Sequence, residues 1–419
     1  MSKSYSTKSV CIVDNGLFSE LGTTLSKSFG KVFYNSPWVS GFPSSNQTEL
    51  GEGFSEFDRV SNVWEIFDDV DLFVFPDIYQ GPLQEHLVSM GKRVFGSRNA
   101  DELENFRDDA KSHFKSLGIP QPTYEVVKGI DALRKCLKGK GSNKVWIKTN
   151  LTRGDMETFP SVGYELVKNK IDKIESDLGP KSKSMEFIVE DHLPDTLDIA
   201  IDTFCIDGKF PDNVAIGCEI KGEAYLGAVK KWKEIPSQLT SIYEDLSQTL
   251  KSYEYRCMLS LESRIQKDKI WLCDPCCRAG SPPFELQLNW IKNIPEIMWE
   301  GAGGVIVEPD YAGKYGFEIM IHSEWANDHP LKIDFPEKFK EKIKFRYSAQ
   351  FPDGLWIMPQ KGGPRVASVV TSGDDMEACF EEAKEIAGEV KGMQIETFSR
   401  AIPELRDNMK QMSEWGYKF

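Results

Sequence analysis

Four short apolar runs mark the first hundred residues: Val10–Asp14 (VCIVD), Lys31–Tyr34 (KVFY), Asp71–Pro76 (DLFVFP) and Arg93–Phe95. Helix-like segments, Leu17–Phe29 and Gly81–Met90, alternate with them. Strands that are apolar on both faces need cover on both faces, which crossover helices between parallel strands supply. This part of the chain is therefore expected to form a small parallel α/β sheet. Val63–Phe67 leads into the third run, and the Ser-, Gly- and Pro-rich stretch Ser36–Phe54 reads as a long surface loop. No GxGxxG follows the first strand, and Asp14-Asn15-Gly16 is only a turn signal, so a dinucleotide site is disfavoured.

The grammar then changes. A charged amphipathic helix is expected over Asp101–Leu117, ended by Gly118 and Pro120. Between Lys128 and Arg153 stand eight Lys/Arg against one acid, Asp131. A solvated helical face over Lys135–Lys144 accounts for half of them. Lys148 differs, because it ends the strand Val145–Ile147, where alternation points it to one side of a sheet, and a turn (Thr152-Arg153-Gly154) follows. That placement suits a phosphate contact. Glu186–Leu193 and Asp198–Cys205, closed by Asp207-Gly208-Lys209, read together as antiparallel strands. Leu261–Arg264 and Lys269–Asp274 form the clearest hairpin, joined through Gln266-Lys267-Asp268. A final part begins near Pro330, with strands at Gly354–Pro359 and Arg365–Val370. The amphipathic helix Asp374–Val390 follows, with Met376, Phe380, Ala383, Ala387 and Val390 on its core face.

Charge narrows the function. The 419 residues, enough for about two to four domains, carry Lys+Arg 51 against Asp+Glu 65, a net charge of −14. Such a balance disfavours general binding to nucleic acid or to an anionic membrane surface. The start lacks an apolar run of signal-peptide length and no later stretch is long and apolar enough to span a bilayer, so a cytoplasmic protein is expected. Nine scattered cysteines, several inside apolar runs, fit reduced buried thiols better than a disulfide framework. Cys273-x-x-Cys276-Cys277 has no second ligand pair nearby to make a zinc site, and the five histidines (86, 113, 192, 322, 329) show no metal spacing. Gly301-Ala-Gly-Gly304 lacks the Lys-Ser/Thr of a phosphate loop and reads as a surface turn.

Glu262 and Asp274 stand on the two arms of the hairpin. A fold near Asp268 brings their carboxylates together if both point to one face, and two like charges so close repel unless a cation lies between them. Taken alone, the residues fit either a solvent-facing hairpin with acidic ends or a hard-cation site.

The order of pieces resembles the glycinamide ribonucleotide synthetase branch of the ATP-grasp ligases. The stretch Pro82 to Gly96, then Leu103-Glu104, an amphipathic helix and Gly118-Ile-Pro120, is similar to that family's "P-x-x-x-G…V-F-G-P", "L-E" and "G-I-P" segments. Val145-Trp-Ile-Lys148, Val189-Glu-Asp-His-Leu193, Leu272-Cys-Asp-Pro-Cys-Cys-Arg278 and Arg365-Val-Ala-Ser-Val-Val370 continue it in order over most of the chain.

The resemblance implies an α/β plus α+β ATP-grasp architecture. A parallel pre-grasp domain would span 1–100, ATP-clamping lobes 101–330 with the small lobe at about 122–193, and a C-terminal domain 331–419. It implies an ATP-dependent carboxylate–amine ligase working through an acyl phosphate on small-molecule substrates, as a monomer or homodimer. By position, Arg107 and Lys148 would hold phosphates, and Glu190, Asp191, His192 and Leu193 the adenine edge. Asp198 would lie near the ribose. Glu262 and Asp274 would hold Mg2+ (or Mn2+), and Arg278 would neutralise the transferred phosphoryl group, with Ser281-Pro282-Pro283 bordering the acyl acceptor. The sequence departs from the family at Cys276, where an asparagine ligand is expected, at Gly154-Asp155-Met156 in the phosphate loop, and at Pro76–Gln80 in the substrate turn. The last argues against the substrates of purine synthesis. A catalytically lapsed nucleotide-binding or structural protein on the same fold is the alternative.

Overall fold

A computed structural model describes residues 3–36, 49–150, 158–360, 362 and 364–419. Strands β1 (Tyr5–Val13), β2 (Phe29–Asn35), β3 (Asp58–Val60), β4 (Leu72–Val74) and β5 (Arg93–Phe95) form a sheet in the order β3-β2-β1-β4-β5, parallel throughout. Alternation on β1 explains why it is apolar on both faces. Val10 and Ile12 enter one core with Leu21 and Leu25, while Cys11 and Val13 enter another with Phe73 and Leu87. The segment before β4 is a 3-10 helix, Val63–Asp69.

A four-stranded antiparallel sheet follows: β6 (Tyr124–Lys128), β7 (Val145–Thr149), β8 (Thr158–Ser161) and β9 (Glu186–Asp191), in the order β6-β9-β7-β8. Helices Ile130–Lys140 and Tyr164–Leu178 cover one face, packing Leu133, Leu137, Ile171 and Ile174 on Ile147, Phe187 and Val189. The other face is left for a site.

The largest sheet takes in β10 (Leu197–Ile206), β11 (Asn213–Ile220), β12 (Ala224–Lys231), β13 (Arg256–Gln266), β14 (Lys269–Cys276) and β15 (Tyr315–Ser323). After them come β16 (Leu331–Lys332), β17 (Ile343–Phe345), β18 (Ser348–Phe351), β19 (Gly354–Ile357), β20 (Arg365–Gly373) and β21 (Ile395–Thr397). The order is β14-β13-β10-β11-β12-β15-β20-β17, with β21 on β15, and β16-β19-β18 form a small sheet apart. All nine cysteines are free thiols, and no described helix is long and apolar enough to cross a membrane.

Three expectations are corrected. The segments around 190 and 200 do not pair: β9 already has β6 on one edge and β7 on the other, so β10 pairs instead with β11 and β13. The helix expected over Asp101–Leu117 breaks at Phe106 into Glu102–Asn105 and Arg107–Ser116. Asn150 caps the second piece, its carbonyl accepting from Arg107 N at 3.3 Å and its Oδ1 from Asp108 N at 2.9 Å, which ties that helix to the end of β7. Gly301 and Ala302 belong to the buried end of the helix Ile294–Ala302, leaving only Gly303-Gly304 as a turn. The turn expected at Thr152–Gly154 and the departure at Gly154–Met156 lie outside the described residues.

Candidate functional site

Between the four-stranded sheet and the hairpin β13–β14 lies a cavity of about 560 Å3. That is within the range of small-molecule sites, roughly 300–1,000 Å3. Strand alternation delivers its wall. On β7, Val145 and Ile147 fill the lobe core, so Trp146 and Lys148 face the cavity; on β9, Phe187 and Val189 are core and Glu190 faces it.

Lys148 Nζ lies 2.7 Å from Asp274 Oδ2 and 3.4 Å from Glu190 Oε1. Glu190 Oε2 lies 2.7 Å from Lys111 Nζ, which rises from the helix Arg107–Ser116. Arg107 donates to the Thr149 carbonyl at 2.7 Å and has its Nε 3.6 Å from Asp274 Oδ1. Burial alone would lower the Lys148 pKa, but Asp274 and Glu190 raise it above the ordinary lysine value. Burial pushes the Asp274 carboxyl up, yet Lys148, Arg107 and Lys111 outweigh it and hold the group well below the usual range.

A bulge brings the acid pair together. Near the turn, Gln266 opposes Lys269 and Ser263 opposes Leu272; one residue further the register shifts, and Glu262 opposes Asp274. Cys273 is the extra residue. A regular continuation would set Glu262 against Cys273 and turn Asp274 to the buried side shared by Leu259, Leu261 and Ser263. With the bulge, both carboxylates line the cavity. Lys221, between β11 and β12, lies 2.6 Å from Glu262 and 3.7 Å from Glu219. Two acids on one face are an oxygen set that Mg2+ accepts when substrate phosphates complete its octahedron, and no cluster of three or more Asp, Glu, His or Cys competes with them among the described residues.

Arg278 is fixed from behind. Its Nε lies 3.0 Å from Glu104 and 3.4 Å from Asp77, and Glu104 also accepts from Cys277 N at 2.8 Å. Burial opposes the guanidinium charge, but Glu104 holds its pKa above the ordinary value.

Of the residues singled out in the sequence, Lys148, Glu190, Asp191, His192, Leu193, Glu262, Asp274 and Arg278 line this one cavity. Asp191 pairs with Lys140 at 3.1 Å, and His192 accepts from Trp146 Nε1 at 3.3 Å. Two others stand off. Arg107 is buried behind Asp274, and Asp198 faces an adjoining cavity of about 120 Å3, 2.6 Å from Arg264, whose side chain does line the larger one. Sequence reading missed Lys111, Lys221, Arg264 and Glu104. Lys111 is one helical turn beyond Arg107, and Arg264 is two residues from Glu262 on one strand, so spacing could have flagged both.

No protein-family profile matches the sequence, and no curated protein matches it. Solved structures do match its fold. Phosphoribosylamine–glycine ligase of Thermotoga maritima aligns with TM-score 0.68 at 18% identity, over 93% of this chain and 99% of that one. The biotin carboxylase domain of 2-oxoglutarate carboxylase from Hydrogenobacter thermophilus, solved with Mg-ADP, ADP and bicarbonate, aligns with TM-score 0.68 at 12% identity, over 96% and 95%. N5-carboxyaminoimidazole ribonucleotide synthetase of Thermus thermophilus aligns with TM-score 0.61 at 12% identity, over 91% and 98%. These are ATP-grasp ligases, and the chain has the ATP-grasp fold.

Proposed function

We propose that the protein is an ATP-dependent ligase joining a small-molecule carboxylate to an amine. The reading rests on one observation above the rest: Lys148 from one sheet and Glu262 and Asp274 from another converge on a single cavity. Lys148 donates to the phosphates, Glu190–Leu193 border the adenine, and Arg107 supports Asp274 from behind. Asp198 positions Arg264 and reaches the nucleotide only through it. Glu262 and Asp274 would hold Mg2+, which supplies charge neutralisation for the phosphates when bound.

A carboxylate oxygen attacks the γ-phosphorus, the bond to the bridging oxygen breaks, and ADP leaves with that electron pair. The amine nitrogen then attacks the acyl carbon, the bond to phosphate breaks, and inorganic phosphate and one proton are released with the amide. Arg278, a planar fork held by Glu104, faces the charge that develops on the transferred group.

Thermal shift with Mg-ATP, followed by ADP release across mixtures of amines and carboxylates, tests this. ADP formation that requires both an acid and an amine supports the ligase. Nucleotide binding without ADP release across a broad panel favours the second reading, a lapsed nucleotide-binding protein. Cys276 is the observation behind that reading, since a soft thiol stands two residues beyond Asp274 on the strand that carries it.

A further inference from the structure

Charge pairing around the cavity has one exception. Lys148, Lys221, Arg264 and Arg278 each lie against a carboxylate, at 2.7, 2.6, 2.6 and 3.0 Å. Arg365, at the start of β20, lines the same cavity with no carboxylate in ion-pair reach among the described residues; its Nη1 is 3.5 Å from the Ser281 carbonyl. Ser281 lines the cavity too, and its Oγ is buried without a hydrogen-bond partner. Arg365 is exposed at the mouth of the cavity; desolvation of its guanidinium and the nearby Arg346 lower its pKa, and the more distant Glu219 and Glu285 offset this only in part. A guanidinium without an ion-pair partner, on the same cavity wall as an unused hydroxyl, can receive an anion.

This wall is built from elements other than the segment 190–193: Asp77–Tyr79 after β4, Arg278, Ser281 and β20. The nucleotide reading therefore leaves it for the second substrate. One fork and one hydroxyl match a planar monoanion. We infer that Arg365 and the Ser281 hydroxyl hold a second carboxylate on the acid substrate, so that the acid is a small dicarboxylate whose other carboxylate reaches Arg278. This rests on the ligase reading for the position of the reacting carboxylate, but not for the anion contact itself.

Calorimetric titration with the series malonate to adipate, with the monoamide of each, and with 3-phosphonopropionate tests it, each run with and without Mg2+ and a non-hydrolysable ATP analogue. At least one dicarboxylate is expected to bind tenfold or more tighter than its monoamide. Arg365→Ala is expected to erase that ratio while leaving analogue affinity within twofold, and Arg365→Lys to restore part of it. Equal binding of dicarboxylates and monoamides, a preference that survives Arg365→Ala, or tighter binding of the phosphonate would overturn the inference. Dicarboxylate selectivity without analogue binding would support the anion site and count against the nucleotide reading alone.

Discussion

Lys148 and Asp274 meet at 2.7 Å although their strands belong to different sheets that share no backbone pairing. Their contact joins the two walls of the cavity. Asp274→Asn keeps the shape and removes the charge, while Lys148 retains Glu190 as a partner. ADP release is expected to fall at least ~100-fold, equivalent to about 2.7 kcal/mol of barrier, and to stay low at temperatures where the variant is still folded. Unchanged turnover would remove Asp274 from the chemistry.

Glu190 neutralises two buried cations, Lys111 and Lys148. Glu190→Ala leaves both short of a carboxylate, and breaking a buried pair in this way costs about 3–5 kcal/mol. Urea unfolding monitored by fluorescence checks this, and a loss under about 1 kcal/mol would mean the pairs are solvated and exchangeable.

Glu104 touches Arg278 and the Cys277 backbone without lining the cavity. Glu104→Gln keeps an acceptor for the Cys277 amide but weakens the hold on Arg278. The expected outcome is a kcat lower by about tenfold or more, with KM for ATP unchanged. A raised KM with constant kcat would place Arg278 in nucleotide binding instead.

Asp202, buried in the adjoining cavity, is in no ion pair among the described residues and accepts from Tyr225 at 2.5 Å. Burial pushes its pKa up to about 6 against the Tyr225 hydrogen bond. The folded state therefore binds this proton more tightly than the unfolded chain, so the stabilisation is full below about pH 4 and is lost as pH rises to about 6. Stability in Asp202→Asn should show a less negative slope over that window, by at most ~1.4 kcal/mol per pH unit. Identical slopes would refute the assignment.

Much of this arrangement was legible in the residues. The parallel sheet followed from Val10–Val13 and Leu72–Phe75 being apolar on both faces, and the exposure of Lys148 to a cavity followed from strand alternation. The facing of Glu262 and Asp274 across the hairpin was legible too, and what escaped was the bulge that produces it. The turn is tighter than a fold centred near Asp268, with Gln266 opposite Lys269, so a regular ladder would set Asp274 against Leu261; the bulge at Cys273, which leaves no mark in composition or periodicity, restores its face. Partner choice escaped for a related reason: β9 and β10 are adjacent in sequence, but the edges of β9 are taken by strands from before and after helix Ile130–Lys140. Lys111 was hidden because a lysine on a charged helix looks solvated until the sheet that buries it is in place.

Calorimetric titration of ATP into the wild-type protein and Lys148→Ala, each in Mg2+ and in EDTA, bears on the convergence of Lys148 with Glu262 and Asp274. Wild type should bind with one site, weaken tenfold or more in EDTA, and lose comparable affinity in Lys148→Ala. Equal affinity across all four titrations, or no binding in any, would contradict a triphosphate site between these walls.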